Sequence, residues 1–199
     1  MGLLGGSFNP AHDGHRHVSL IALKALALDE VWWLVSPRNP LKPAAGMAPL
    51  ERRLAEARVV ARHPRIRVTD IEARLGTRYT VDGLRALKTR FPRHAFVWLM
   101  GADNLAEIPR WRDWETIFAL VPIAVIDRPT YSYKALAGRA ARRFGRARLA
   151  ARDARALASR RPPAWIFLRA RLHPASATAI RRARREGDGW AQRGSPDHG

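Results

Sequence analysis

Apolar residues along this chain fall into short unbroken runs separated by segments in which they recur at helical spacing. Leu3-Leu4 leading into Gly5-Gly6, Val31 to Val35, Ile66 to Val68, His94 to Met100, Val121 to Ile126 and Trp165 to Leu168 read as strands. The most apolar of these have the composition of strands buried on both faces of a parallel sheet. Helical spacing is found from Val18 to Leu28, from Pro49 to about Arg62, from Thr80 to Leu87 and from Glu107 to Ala119, with Pro49 suited to a first helical position. From Tyr131 an Ala/Arg-rich stretch reads as helix until Pro162-Pro163 stops it, and a last helix opens at Ser176 after a His173-Pro174-Ala175 turn. Strand and helix alternate, which predicts an α/β fold built on a doubly wound parallel sheet with right-handed crossovers. No repeat or linker interrupts the pattern, so one domain is expected over residues 1–186, followed by a polar tail over 187–199.

Composition narrows the class. At 199 residues the chain is long enough to bury a full core, and it has no cysteine, which excludes disulfides, thiolate catalysis and cysteine-bound zinc. Its apolar runs are too short to cross a bilayer and no signal peptide precedes the first turn, so a soluble, cytoplasmic protein without a membrane partner is expected. The formal charge of +19 would suit nucleic acid. Most of the excess, however, is arginine scattered among alanines, densest from Arg139 to Arg161, with no aromatic residues spaced for base stacking. That pattern reads as solvated helix surface, and nucleic acid is not the expected partner.

Candidate chemistry is concentrated at the N-terminus. In Gly5-Gly6-Ser7-Phe8-Asn9-Pro10-Ala11-His12-Asp13-Gly14-His15 a strand runs into two glycines, a hydroxyl residue and two histidines three positions apart. Gly5 and Gly6 leave room for a phosphate to approach the backbone, and Ser7 and Phe8 offer N–H groups at the strand end. His12 and His15 fall about one turn apart on one side of an opening helix, whose N-terminal partial charge attracts the same anion. Two histidines could also bind zinc, but no convincing third ligand lies nearby in sequence, so no protein metal site is expected. A proline-rich loop from Ser36 to Pro43, containing Lys42, follows the second strand at the sheet end where α/β folds bind ligands.

Gly6 to His15 resembles the G-S-F-x-P-x-H-x-G-H signature of the HxGH nucleotidyltransferases, which implies their Rossmann-like fold and ATP as a substrate, with Mg²⁺ arriving on it. Ser176-Ala177-Thr178-Ala179-Ile180-Arg181 is similar to that family's second signature, which implies that Ser176, Thr178 and Arg181 hold the β- and γ-phosphates. Lys42 matches the family's basic residue near the phosphates. Tyr79-Thr80-Val81-Asp82 and Gly101-Ala102-Asp103 with Trp111 resemble elements of the nicotinate-nucleotide adenylyltransferases. The resemblance implies that backbone N–H groups near Thr80 bind a nicotinate carboxylate and that Trp111 stacks on the pyridine ring. Asp103, at a strand's carboxyl end, suits a ribose hydroxyl, and Asp82 reads equally well as a first-turn acid. The expected reaction is AMP transfer from ATP to nicotinate mononucleotide, with His12 and His15 at the α-phosphate. The alternatives are another transferase of the superfamily, such as one acting on phosphopantetheine, and a non-catalytic nucleotide- or RNA-binding protein. A homo-oligomer is left open.

Overall fold

The computed structural model describes residues 1–37, 46–127 and 131–169. Seven strands form one sheet: β1 (Gly2–Gly6), β2 (Val31–Val35), β3 (Ile66–Thr69), β4 (Val97–Gly101), β5 (Ile123–Ile126), β6 (Arg148–Leu149) and β7 (Trp165–Leu168). Their spatial order is β3-β2-β1-β4-β5-β7-β6, and every pairing is parallel. The expected doubly wound α/β architecture is therefore present.

Period-two alternation along the strands divides the core in two. Leu3, Trp98, Met100, Ile123 and Val125 face one way, against α3 (Ile71–Arg74), α4 (Thr80–Arg90), α5 (Ala102–Glu107), α6 (Trp114–Leu120), α7 (Ser132–Leu136) and α8 (Arg139–Arg143). Leu4, Trp33, Val97, Leu99 and Ala124 face the other way, against α1 (Asp13–Ala25), α2 (Leu50–Ala61) and a 3-10 helix over Ala151–Ser159. Neither face of the sheet could be left in water, so both layers are obligatory. No helix among the described residues is long and apolar enough to cross a membrane.

Several elements differ from the sequence reading. The segment expected as one helix over Glu107 to Ala119 is three pieces: α5 begins at Ala102, a 3-10 turn covers Ile108–Arg110, and α6 begins at Trp114. Pro109 has no N–H to continue an α-helical ladder, and Asp113 takes the left-handed backbone (φ 46°) that resets the chain direction. Trp111 consequently lies in the connection rather than on a helix. The Ala/Arg-rich stretch after Tyr131 is likewise broken. Gly138 caps α8, a further turn follows at Gly145–Ala147, and Arg148–Leu149 leaves helix altogether to pair with β7. Strand pairing at the sheet edge there overrides local helix propensity. Pro49 serves as the N-cap of α2 instead of its first residue, α1 starts five residues before Val18, and His94 to Phe96 precede β4 without joining it.

The arginines of this region are exposed as expected, and three have a packing role. Arg139, Arg143 and Arg148 lie over the rings of Trp114, Phe144 and Trp165 at 5.7, 5.6 and 5.3 Å, their stems covering aromatic surface that would otherwise face water.

Candidate active site

The sheet order places a switch point between β1 and β4, because the chain goes from β1 outward through β2 and β3 and then returns to β1's other side. Open α/β sheets bind ligands outside the carboxyl ends of strands at such a point. Here the two strands also separate: their pairing ends at Leu4↔Leu99, although β1 continues to Gly6 and β4 to Gly101. The Gly6–His15 loop stands on one side of the opening and Ala102-Asp103 on the other.

Both histidines cap the helix that begins there. His12 is the N-cap of α1, with extended backbone (φ −154°, ψ 166°), and its Nδ1 accepts the Gly14 N–H at 3.1 Å. His15, at the third helical position, reciprocates: its Nδ1 accepts the His12 N–H at 3.2 Å. This is a capping box made from two imidazoles instead of the usual hydroxyl and carboxylate. Because a backbone N–H can only donate, each Nδ1 is an acceptor, and the ring proton of each histidine resides on Nε2. The capping geometry thus selects the tautomer whose outer nitrogen is a hydrogen-bond donor. The rings lie 3.9 Å apart by centroid, His12 buried and His15 half-buried.

Packing fixes the pair from below. Phe8 lies 4.6 Å from the His15 ring and stacks on Trp33 at 5.1 Å. The Ser19 hydroxyl donates to the His15 carbonyl at 2.9 Å and accepts the Trp33 indole N–H at 2.7 Å, which ties α1 to β2. Phe8 itself is almost fully buried and has φ 46°, a left-handed conformation that a non-glycine residue holds only under constraint.

The two glycines have different reasons to be glycine. A Cβ on Gly5 would lie 2.4 Å from Cη2 of the buried Trp98, so packing between β1 and β4 already demands glycine at that position. A Cβ on Gly6 would meet only the Phe8 ring at an ordinary 3.4 Å. The sequence reading that both glycines clear space for phosphate therefore needs a second cause at Gly5.

Across the opening, the structure brings the second set of motifs together. Tyr79 is the N-cap of α4, and the guanidinium of Arg112, one residue beyond Trp111, sits 4.7 Å over its ring. Thr80 opens α4, and Trp111, half-buried, packs against the same core cluster as Tyr79. Asp103 is half-buried in the first turn of α5, directly beyond β4. Asp82 pairs with Arg85 at 3.5 Å on the surface of α4, as a first-turn acid would. Lys42, Ser176, Thr178 and Arg181 lie outside the described residues. Among the described residues no three His, Cys, Asp or Glu side chains stand together as a metal site requires.

Two residues that sequence reasoning missed also belong to this region. Arg53 of α2 is 1% exposed and donates to four backbone carbonyls around the loop. Its signal was available: it occupies the buried stripe of α2 with Leu54, Ala57 and Ala61. Glu72 of α3 is buried, and burial pushes its carboxyl up to about 7 against a hydrogen bond from the Ser36 hydroxyl. Gly83 of α4 lies beside it: a Cβ there would meet Glu72 Oε1 at an ordinary 3.4 Å.

Known proteins share this layout. A cytidylyltransferase-like family model matches residues 3–183. A protein of Parvibaculum lavamentivorans named "Probable nicotinate-nucleotide adenylyltransferase" is 56% identical over 193 residues, 97% of this chain and 94% of its own length. One of the same name from Cereibacter sphaeroides is 57% identical over 181 residues, 91% of this chain and 96% of its own. A solved structure described as Plasmodium falciparum nicotinic acid mononucleotide adenylyltransferase complexed with NaAD has the same fold, with a TM-score of 0.66 at 16% identity over 91% of this chain and 82% of its own. With a family model spanning most of its length and relatives matched at this identity, the chain belongs to the cytidylyltransferase-like family and, within it, to the nicotinate-nucleotide adenylyltransferases.

Proposed function

We infer that this chain transfers the AMP unit of ATP to the 5′-phosphate of nicotinate mononucleotide, forming nicotinate adenine dinucleotide and pyrophosphate. The observation that carries the reading is the histidine capping box at the switch point of the sheet, in a chain that shares more than half its residues with adenylyltransferases of that name. A phosphate oxygen of nicotinate mononucleotide attacks the α-phosphorus of ATP. As that P–O bond forms, the bond to the bridging oxygen breaks and its electron pair leaves with pyrophosphate. The nucleophile is already ionised at neutral pH, so the protein needs neither a base nor a covalent intermediate. What it must supply is placement and charge stabilisation.

In this reading His12 and His15 donate from Nε2 to the α-phosphate and the bridging oxygen as negative charge builds there. Gly5, Gly6, Ser7 and Phe8 supply the loop against which the phosphates rest. Ser176, Thr178 and Arg181 hold the β- and γ-phosphates, and Lys42 adds a cation. ATP enters as its Mg²⁺ complex, so the metal is part of the substrate. Thr80 and Tyr79 present the α4 N-terminus to the nicotinate carboxylate, Asp103 takes a ribose hydroxyl, and Trp111 stacks on the pyridinium. One domain spans residues 1–186, and a cytoplasmic location suits a chain without cysteine.

The decisive assay offers purified protein ATP, Mg²⁺ and one phosphate acceptor at a time, and measures pyrophosphate. Release with nicotinate mononucleotide alone is the expected result. Release only with phosphopantetheine would move the chain to another branch of the superfamily, and no release with any acceptor would make it a binding protein. A second measurement tests the acceptor pocket. Trp111→Ala should raise KM for nicotinate mononucleotide by about 10-fold, the worth of one desolvated ring–cation contact, with KM for ATP unchanged. An effect confined to ATP would remove Trp111 from the pocket.

A further inference from the structure

Arg53 is an arginine in a position that the pattern of α2 reserves for an apolar residue. It is 1% exposed, and burial lowers its pKa, opposed only by the charge of Glu51. No carboxylate among the described residues forms an ion pair with it. Its donors go to backbone instead: Nη1 to the carbonyls of Ser7 and Ser36, both at 2.7 Å, Nη2 to that of Pro37 at 3.1 Å, and Nε to that of Ala48 at 2.8 Å. One side chain thereby joins the loop after β1, the loop after β2 and the entry to α2. Asn9 makes a parallel tie between two of them, donating to the Gly46 carbonyl at 3.0 Å and accepting the Ala48 N–H at 3.2 Å.

A guanidinium hidden from water is costly, and an apolar residue would fill the stripe of α2 without that cost. What the arginine adds is orientation. In a trans peptide the C=O and N–H point in opposite directions, so holding the Ser7 carbonyl against Nη1 turns the Phe8 N–H away from Arg53. That N–H has no backbone acceptor among the described residues. The neighbouring φ of 46° at Phe8 is the kind of strained backbone that persists only when its surroundings over-determine it, and the Arg53–Ser7 bond is one of the constraints. The charge of Arg53, offset only by the more distant Glu51, also stays directly behind the loop, where it favours an anion in front.

We propose that Arg53 is a positioning residue for the triphosphate: it locks the Ser7–Phe8 peptide with its N–H presented as an anion donor and ties that loop to the segment after β2. The inference rests on the reading of the Gly6–His15 loop as the ATP site. Arg53→Lys keeps the charge and loses the fork that reaches several carbonyls at once. In the full-length protein, below its melting range, this variant loses about 10- to 100-fold in kcat/KM for ATP, while KM for nicotinate mononucleotide stays within about twofold. In ¹⁵N-labelled wild type the Phe8 amide resonance shifts when a non-hydrolysable ATP analogue or inorganic triphosphate is added, and in Arg53→Lys that response is lost. A lower Tm with unchanged kcat/KM per folded molecule would make Arg53 a purely structural residue and overturn the proposal. If the variant does not fold, the wild-type resonance decides, because a Phe8 amide indifferent to triphosphate overturns the proposal without it. A chain whose Phe8 amide responds in wild type and not in Arg53→Lys, but which makes no product from nicotinate mononucleotide, supports the role of Arg53 and instead overturns the substrate assignment.

Discussion

His15→Gln should lower turnover by about 100-fold or more while the protein stays folded and α1 stays capped. Glutamine is chosen because His15 has two separable jobs. Its Nδ1 accepts the His12 N–H, a structural bond that a glutamine at the third helical position also makes in ordinary capping boxes. Its Nε2 is the proposed donor to the reacting phosphate, and glutamine, spent on the cap, cannot supply an imidazole N–H at that place. Alanine would remove both functions, adding a capping loss of about 1 kcal/mol that clouds the kinetic result. His12→Asn is the companion, since asparagine is among the best N-cap residues and should preserve the 3.1 Å bond from Gly14. Pyrophosphate release gives kcat, and the melting temperature of each variant reports the cap. Turnover within about threefold of wild type, with the melting temperature retained, would leave the two rings as caps and nothing more.

Glu72→Gln should abolish a pH dependence of stability that wild type shows between about pH 4.5 and 7. The Glu72 carboxyl lies above its ordinary value of 4.5, at about 7, because the folded protein buries it. Across that window the folded chain binds a proton that the unfolded chain has released. Stability is therefore fully present below pH 4.5 and declines as pH rises through 7. A shift of this size corresponds to about 3 kcal/mol once both states are ionised. Glutamine keeps the shape and an acceptor for Ser36 but has no charge to bury. Urea unfolding at pH 5 and pH 8 should give nearly equal stabilities for the two proteins at the lower pH, and a variant more stable by up to about 3 kcal/mol at the higher. An equal difference at both values would mean that Glu72 titrates normally in the fold. Glu72 accepts from Ser36 just beyond β2 and lies beside α4 at Gly83, so the buried carboxyl sits between these two elements.

Much of the sheet was legible in the residues because a strand buried on both faces must be a short, nearly continuous apolar run. Val31–Val35 and Trp165–Leu168 came out with the boundaries the run predicts. The helices were harder where composition and context disagree. Ala/Arg-rich sequence favours helix everywhere, yet the need to pair a strand beside β7 pulled Arg148–Leu149 out of it. α3 spans only four residues, too few for a periodic signal to register.

For the site, the ordered string from Gly6 to His15 was sufficient to propose a polyphosphate and two histidines, since the spacing of a strand end, a turn and a helix start is local. What the string could not convey is that both Nδ1 atoms are occupied, which protonates Nε2 of each ring. Nor could it show that Gly5 is demanded by Trp98, a residue more than ninety positions away in sequence.

By itself, then, the sequence determined the layered α/β class, most strand positions and the phosphate motif, because each depends on residues within one or two turns of each other. Only the tertiary structure decided which distant groups converge. It set Arg112 over Tyr79 at the mouth of the second motif, Glu72 beneath Ser36, and Arg53 against the carbonyls of Ser7, Ser36, Pro37 and Ala48. The physical reason is that burial and hydrogen-bond partnership are properties of packed neighbours, and an arginine on an apolar stripe reveals its task only when the carbonyls it must satisfy are brought to it.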